Sequence, residues 1–133
     1  MHTAQRGASQ VVCQVLAGRN LSQTLSAALQ ATPGQIMPEL TPQQRGALQD
    51  LSYGTLRFYG QLARVLDQLL YKPVQDSQLR CLLLVALYQL LYTKAAPHAV
   101  VDHAVRAVRK CNAAAGGLAN AVLRNFLRNR EAL

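Results

Sequence analysis

The chain has 133 residues, 50% hydrophobic and only 15% charged, with 14 Lys and Arg against 6 Asp and Glu for a net charge of +8. Half-apolar composition excludes a disordered chain, and the length suits one domain (residues 1–133) hiding about two thirds of its unfolded surface. With 23 Leu and 20 Ala beside 11 Val and one Ile, helix formers outweigh strand formers, so the chain is expected to be all-α and basic.

Cys13, Cys81 and Cys111 are odd in number and form no C-x-x-C pair. That excludes a zinc ribbon or a thioredoxin-type motif. Thiols without a pairing pattern read as buried small hydrophobes in a reducing compartment. Behind Met1–Arg6 there is no apolar run of the secretory kind, and the longest apolar run, Cys81 to Tyr88, falls far short of the roughly 20 residues of a membrane span. A cytoplasmic protein with no membrane partner is expected.

Apolar residues recur at spacings of three and four, the period of a helix. A first helix fits Ala4 to Ala17, with Val12, Val15 and Leu16 inward and Gly18 ending it. A second starts at Leu21-Ser22, with Ser22 as cap and Leu25, Ala28 and Leu29 as its inner stripe. Pro33, Gly34 and Pro38 make Ala31 to Glu39 a loop. Thr41-Pro42-Gln43-Gln44 has the composition of a capping box with Pro at the first helical position. The apolar period then runs from Leu48 to Leu70, and Gly54 and Gly60 inside it mark either close helix contacts or a break.

Asp76-Ser77 caps a helix from Gln78 to about Tyr92 that is apolar nearly all round, which places it at the centre of a bundle. Pro97 starts another, with Val101, Ala104, Val105 and Val108 as core stripe. Ala113 to Gly117 reads as a small-residue turn before a last helix from Leu118 to about Glu131. Six or seven helices around one buried helix are predicted.

Residues 1–70 carry a net charge of +2 and residues 71–133 a net of +6. Between Ala104 and Arg130 stand Arg106, Arg109, Lys110, Arg124, Arg128 and Arg130, with no acid. Asn120, Arg124 and Arg128 follow at four-residue steps and share one helical stripe, while Leu118, Val122 and Phe126 occupy another. Arg106, Arg109 and Lys110 cluster off the valine face of the preceding helix. Solvated faces ordinarily mix both signs, whereas guanidinium forks without competing carboxylates match phosphate oxygens. Arg106, Arg109, Lys110, Asn120, Arg124 and Arg128 are the candidate nucleic-acid-binding set, contacting the backbone without reading sequence.

Other motifs are weaker. His98 and His103 are five residues apart and do not share a face as metal ligands four apart would. Asp102 beside His103 lacks a nucleophile at motif spacing, and no phosphate-cradling glycine loop occurs. Neither a catalytic nor a metal site is expected. Gly116-Gly117 reads as a plain turn, with an anion-holding helix start as the alternative. Tyr53, Phe58 and Tyr59 read as core or helix-contact aromatics.

Four strings carry a family resemblance: Leu51-Ser52-Tyr53-Gly54-Thr55-Leu56-Arg57, Leu87-Tyr88-Gln89-Leu90-Leu91-Tyr92-Thr93, Pro97-His98-Ala99 and Gly117-Leu118-Ala119-Asn120-Ala121-Val122-Leu123-Arg124. They resemble the NusB-like fold, and more narrowly the N-terminal NusB-like domain of the bacterial 16S ribosomal RNA cytosine-C5 methyltransferase B family. The resemblance covers nearly the whole chain and is weakest from Ala31 to Glu39. It implies an RNA-binding helical bundle, excised from a longer enzyme that uses S-adenosylmethionine. The implied partners are ribosomal RNA and a C-terminal methyltransferase domain of the same polypeptide, which holds the cofactor and the catalytic cysteines. Cys13, Cys81 and Cys111 match no such catalytic motif.

The same family includes stand-alone transcription antitermination factors that bind boxA RNA with ribosomal protein S10. Those typically carry an Arg-rich N-terminus, where this chain has only Arg6 and then Arg19. A third expectation, a helical protein-docking module, follows from the scarcity of charge to cover its surface.

Overall fold

The computed structural model describes residues 2–29 and 40–130. It consists of seven α-helices and one 3-10 turn, with no strand among the described residues. The loop expected at Ala31 to Glu39, and the expected helix end at Glu131, lie outside the described residues.

The first helix, α1 (His2–Leu16), buries Ala4, Ala8, Val11 and Val12. The two alanines let it approach its neighbours closely. Beyond Leu16 the chain turns at Gly18, whose φ of 105° suits glycine. Gly18 N donates to Val15 O and Arg19 N to Gln14 O, the pair of bonds that closes a Schellman end. Val12 faces inward as predicted, but Val15 is half-buried and Leu16 is 45% exposed. Leu16 sits in the last turn, next to the exposed turn at Gly18.

The second helix, α2 (Leu21–Leu29), is capped by Asn20 rather than Ser22: Asn20 Oδ1 accepts from Gln23 N at 3.1 Å. Both residue types cap well, and the two-residue link after Gly18 starts the helix early enough that Asn20 holds the capping place. Leu25 is buried with Val11, Leu40 and Leu48 in a small cluster of its own.

The run from Thr41 to Leu70 is two helices, α3 (Pro42–Arg57) and α4 (Tyr59–Leu69). Thr41 Oγ1 accepts from Gln44 N at 3.1 Å and Thr41 N donates to Gln44 Oε1 at 2.9 Å, the reciprocal capping box the sequence predicted. The break falls at Phe58, and the two glycines divide the roles open to them. Gly54 is a close contact with Tyr88, while a Cβ on Gly60 would meet nothing within 4 Å. Phe58 is half-buried and stacks on Tyr92, and Tyr59 is half-buried. Tyr53 is 45% exposed and does not join the core.

The central helix, α5 (Ser77–Tyr92), is capped by Asp76, which accepts from Gln78 N and Leu79 N. Every residue from Cys81 to Leu90 is buried, and α5 packs on α1, α3 and α4 and on the two helices that follow, α6 (Pro97–Cys111) and α7 (Gly116–Asn129). Between α6 and α7 lies the 3-10 turn Ala113–Ala115, capped by Asn112. The last helix thus begins two residues before Leu118. Burial of Leu82, Leu83, Leu84 and Leu87, each at most 1% exposed, makes truncation of any one to Ala worth about 2–5 kcal/mol. Of the three cysteines, Cys81 is buried and Cys13 half-buried, while Cys111 is exposed at the end of α6.

Candidate nucleic-acid interface

The interface is built on α6 and α7, which pack against each other. On α6, Val100, Val101, Ala104, Val105, Ala107 and Val108 turn inward and leave Arg106, Arg109 and Lys110 exposed. On α7, Ala119, Val122, Leu123 and Phe126 turn inward and leave Arg124 and Arg128 exposed, with Asn120 half-buried.

Asn120 Oδ1 accepts from Arg124 Nε at 2.9 Å. The amide of one turn thereby steers the guanidinium of the next and leaves its terminal nitrogens for another partner. Arg128 continues the stripe about 6 Å further along the axis. No carboxylate among the described residues pairs with Arg106, Arg109, Arg124 or Arg128, whereas Arg80 in α5 is paired with Asp67 at 3.0 Å.

Arg109 joins the two helices. Its side chain lies across the first residue of α7, so that a Cβ on Gly116 would overlap it. A guanidinium therefore sits beside the N–H groups that open α7, where the helix dipole is also positive. The sequence expectation of a plain turn at Gly116-Gly117 is corrected here: Gly116 is already helical, and its missing side chain is the space that Arg109 uses.

His98 is exposed and His103 half-buried. Burial is the main cause that holds the His103 imidazole below its usual pKa, and the charge of Arg106 acts in the same direction against the opposing pull of Asp102. Among the described residues no three His, Cys, Asp or Glu side chains gather as a metal site. Among the described residues no helix is long and apolar enough to cross a membrane.

One feature of this region is not visible in the sequence. Beside the stripe, a groove of about 850 Å³ runs between residues 69–76, the 3-10 turn and α7. Leu118, which shares its helical stripe with the buried Val122 and Phe126, is 44% exposed and lines it. Arg128 lines it as well. Only an apolar residue off the core in a helix otherwise well packed, together with the aromatic Tyr71 in a link, signals the groove in the sequence.

Residues 2–128 match the NusB family. The chain belongs to the NusB family. Within it, the chain is 38% identical over 129 residues to a ribosomal RNA small subunit methyltransferase B of Pasteurella multocida, which covers 95% of this chain and 27% of that protein. It is 43% identical over 97 residues to the protein of the same name in Serratia proteamaculans, covering 71% of this chain and 23% of the relative. The corresponding protein of Pectobacterium carotovorum is 39% identical over 129 residues, with 95% and 28% covered. The NusB-family chain thus spans less than a third of the length of these relatives. Two of the strings that carried the resemblance, one in α3 and one in α5, pack on each other through Gly54 and Tyr88.

Proposed function

We propose that this NusB-family domain is a non-catalytic RNA-binding module of a ribosomal RNA methyltransferase. It holds the RNA backbone through Arg106, Arg109, Lys110, Arg124 and Arg128, with Asn120 orienting Arg124. The observation that carries this reading is the exposed set of arginines on α6 and α7 (Arg106, Arg109, Arg124 and Arg128), none of them paired with a carboxylate among the described residues and joined where Arg109 crosses Gly116. Phosphate contacts of this kind set register and orientation, and base recognition is left to other groups. The names of the relatives, ribosomal RNA small subunit methyltransferase B, supply the substrate class.

In this reading the domain works in the cytoplasm beside a C-terminal methyltransferase domain of the same polypeptide, and that domain binds S-adenosylmethionine. The described residues of this chain do not fit such a site. The described part has no strand and so no strand-to-helix turn.

The test is a filter-binding titration of ribosomal RNA against the wild type and the Arg124→Ala, Arg128→Ala double variant across a range of salt. Loss of two phosphate contacts lowers affinity and flattens the slope of log K against log salt by about 1.4–1.8. An unchanged affinity and slope would remove these two residues from the interface. Absence of any salt-sensitive binding by the wild type would favour a protein-docking module instead.

A further inference from the structure

We infer that the groove beside the basic stripe holds an unstacked nucleobase of single-stranded RNA, an inference that rests on the RNA-binding reading above. The volume of about 850 Å³ lies within the roughly 300–1,000 Å³ typical of sites for small organic groups. Its floor is apolar, with Leu118 and Val122 from α7. Such a floor accepts the face of a base and offers nothing to a hydrated ion.

The polar groups around that floor have a definite sense. Asn112 Oδ1 accepts from Ala114 N, and Asn125 Oδ1 accepts from Asn129 Nδ2. Both amides thus spend their oxygens within the protein and keep their NH₂ groups as donors. Two donors at the edge of an apolar slot suit the carbonyl and ring-nitrogen acceptors of a base, such as those of a pyrimidine. Tyr71 lines the same groove and stands fully exposed at 106%, a free aromatic face of the kind on which bases stack.

Charge identifies the occupant as nucleic acid rather than an apolar peptide. Lys72 and Arg128 line the groove, and the one acid of its lining, Asp76, accepts from Gln78 N and Leu79 N in the first turn of α5. Continuity points the same way. At about 100° per residue, the groove wall of α7 (Leu118, Ala121, Val122, Asn125) and the stripe (Asn120, Arg124) are adjoining faces. Arg128 belongs to both. A strand whose phosphates follow the stripe meets the groove at Arg128 without a change of direction, and a base turned inward there enters it.

The experiment compares binding of a single-stranded oligouridine and of an RNA duplex by the wild type, Tyr71→Ala and Ala121→Leu. Tyr71 is wholly exposed and Ala121 lies on the outer face of α7, so neither change disturbs the core. Tyr71→Ala is expected to weaken single-strand binding about tenfold with the salt slope unchanged. Ala121→Leu, which fills the groove, is expected to weaken it too, and duplex binding should stay at the wild-type value for both. If both variants bind the single strand as the wild type does while the Arg124→Ala, Arg128→Ala variant does not, the groove assignment falls and the RNA-binding reading stands. Equal losses on single strand and duplex also overturn the groove assignment. Wild-type protein that binds neither RNA, but binds an acidic peptide in a manner blocked by Ala121→Leu, overturns both readings.

Discussion

Tyr88 occupies the space that a side chain at position 54 would need: a Cβ on Gly54 would overlap its ring at Cζ, Oη and Cε1. The ring has aromatic neighbours as well. It lies 6.3 Å from Phe58 and 5.8 Å from Tyr92, and Phe58 stacks on Tyr92 at 4.2 Å with 12° between planes. The aromatic group therefore fastens the junction of α3 and α4 to the far end of α5, and it can do so only against glycine.

Gly54→Ala is expected to destabilise the domain even though alanine is the better helix former by about 1 kcal/mol. Displacing a packed ring costs about 1–3 kcal/mol, and Tyr88 is 8% exposed with Phe58 and Tyr92 as aromatic neighbours. Gly46→Ala in the same helix meets nothing within 4 Å and should stabilise by about 0.5–1 kcal/mol. Urea denaturation of both variants checks the contrast; a stabilised Gly54→Ala would contradict the Tyr88 contact.

A buried amide pair ties α1 to α5 and α6. Gln5 Nε2 donates to Gln89 Oε1 at 2.7 Å and to Val100 O at 3.3 Å, and the two glutamines are 0% and 5% exposed. Gln89→Leu removes the better acceptor from a group that cannot reach water, a loss of about 1–3 kcal/mol. Adding Gln5→Met should recover most of that stability, because removing both partners leaves no unpaired amide. A double-mutant cycle by chemical denaturation measures the coupling, and additive losses would argue against the pair.

The three thiols should differ in reactivity. Cys111 is exposed and should react with a thiol reagent in the folded protein, whereas Cys81 should react only after unfolding. Burial, with a smaller contribution from Cys13, pushes the Cys81 pKa from 9.0 up to about 12. Between these values the unfolded chain loses the proton that the folded chain keeps, so stability present below pH 9 declines as pH rises towards 12. Denaturation midpoints measured across that range should fall for the wild type and fall less for Cys81→Ala.

Much of this fold is legible in the sequence because its signals are local. The capping box at Thr41, the Asp76 cap, the stop at Gly18 and the unbroken apolar surface of α5 each need only a few neighbouring residues to be read. Errors arise where the deciding atoms are distant. Asn20 and Ser22 are equally good caps until the turn at Gly18 fixes where the helix begins. Leu16, Tyr53 and Leu118 have the right spacing to be buried and are exposed, an outcome that the packing of distant elements decides. The exposure of the basic stripe follows from helical spacing, but the meeting of Arg109 with Gly116 requires a turn that brings α6 back onto α7. The groove is least legible of all, since its two walls are separated by the whole of α5 and α6.

The central position of α5 also ranks the parts of the molecule by how readily they open. Helices α1, α3, α4, α6 and α7 all rest on α5, whereas α2 rests on α1 and shares a separate apolar cluster with Leu40 and Leu48. Local opening of α2 exposes that small cluster without loosening α5, while any fluctuation that frees α5 dissolves the whole bundle. Amide hydrogens of α2 therefore exchange with solvent through partial opening, and those of α5 only through global unfolding. The stripe on α6 and α7 is carried by helices that rest on α5, so its amides are expected to exchange more slowly than those of α2.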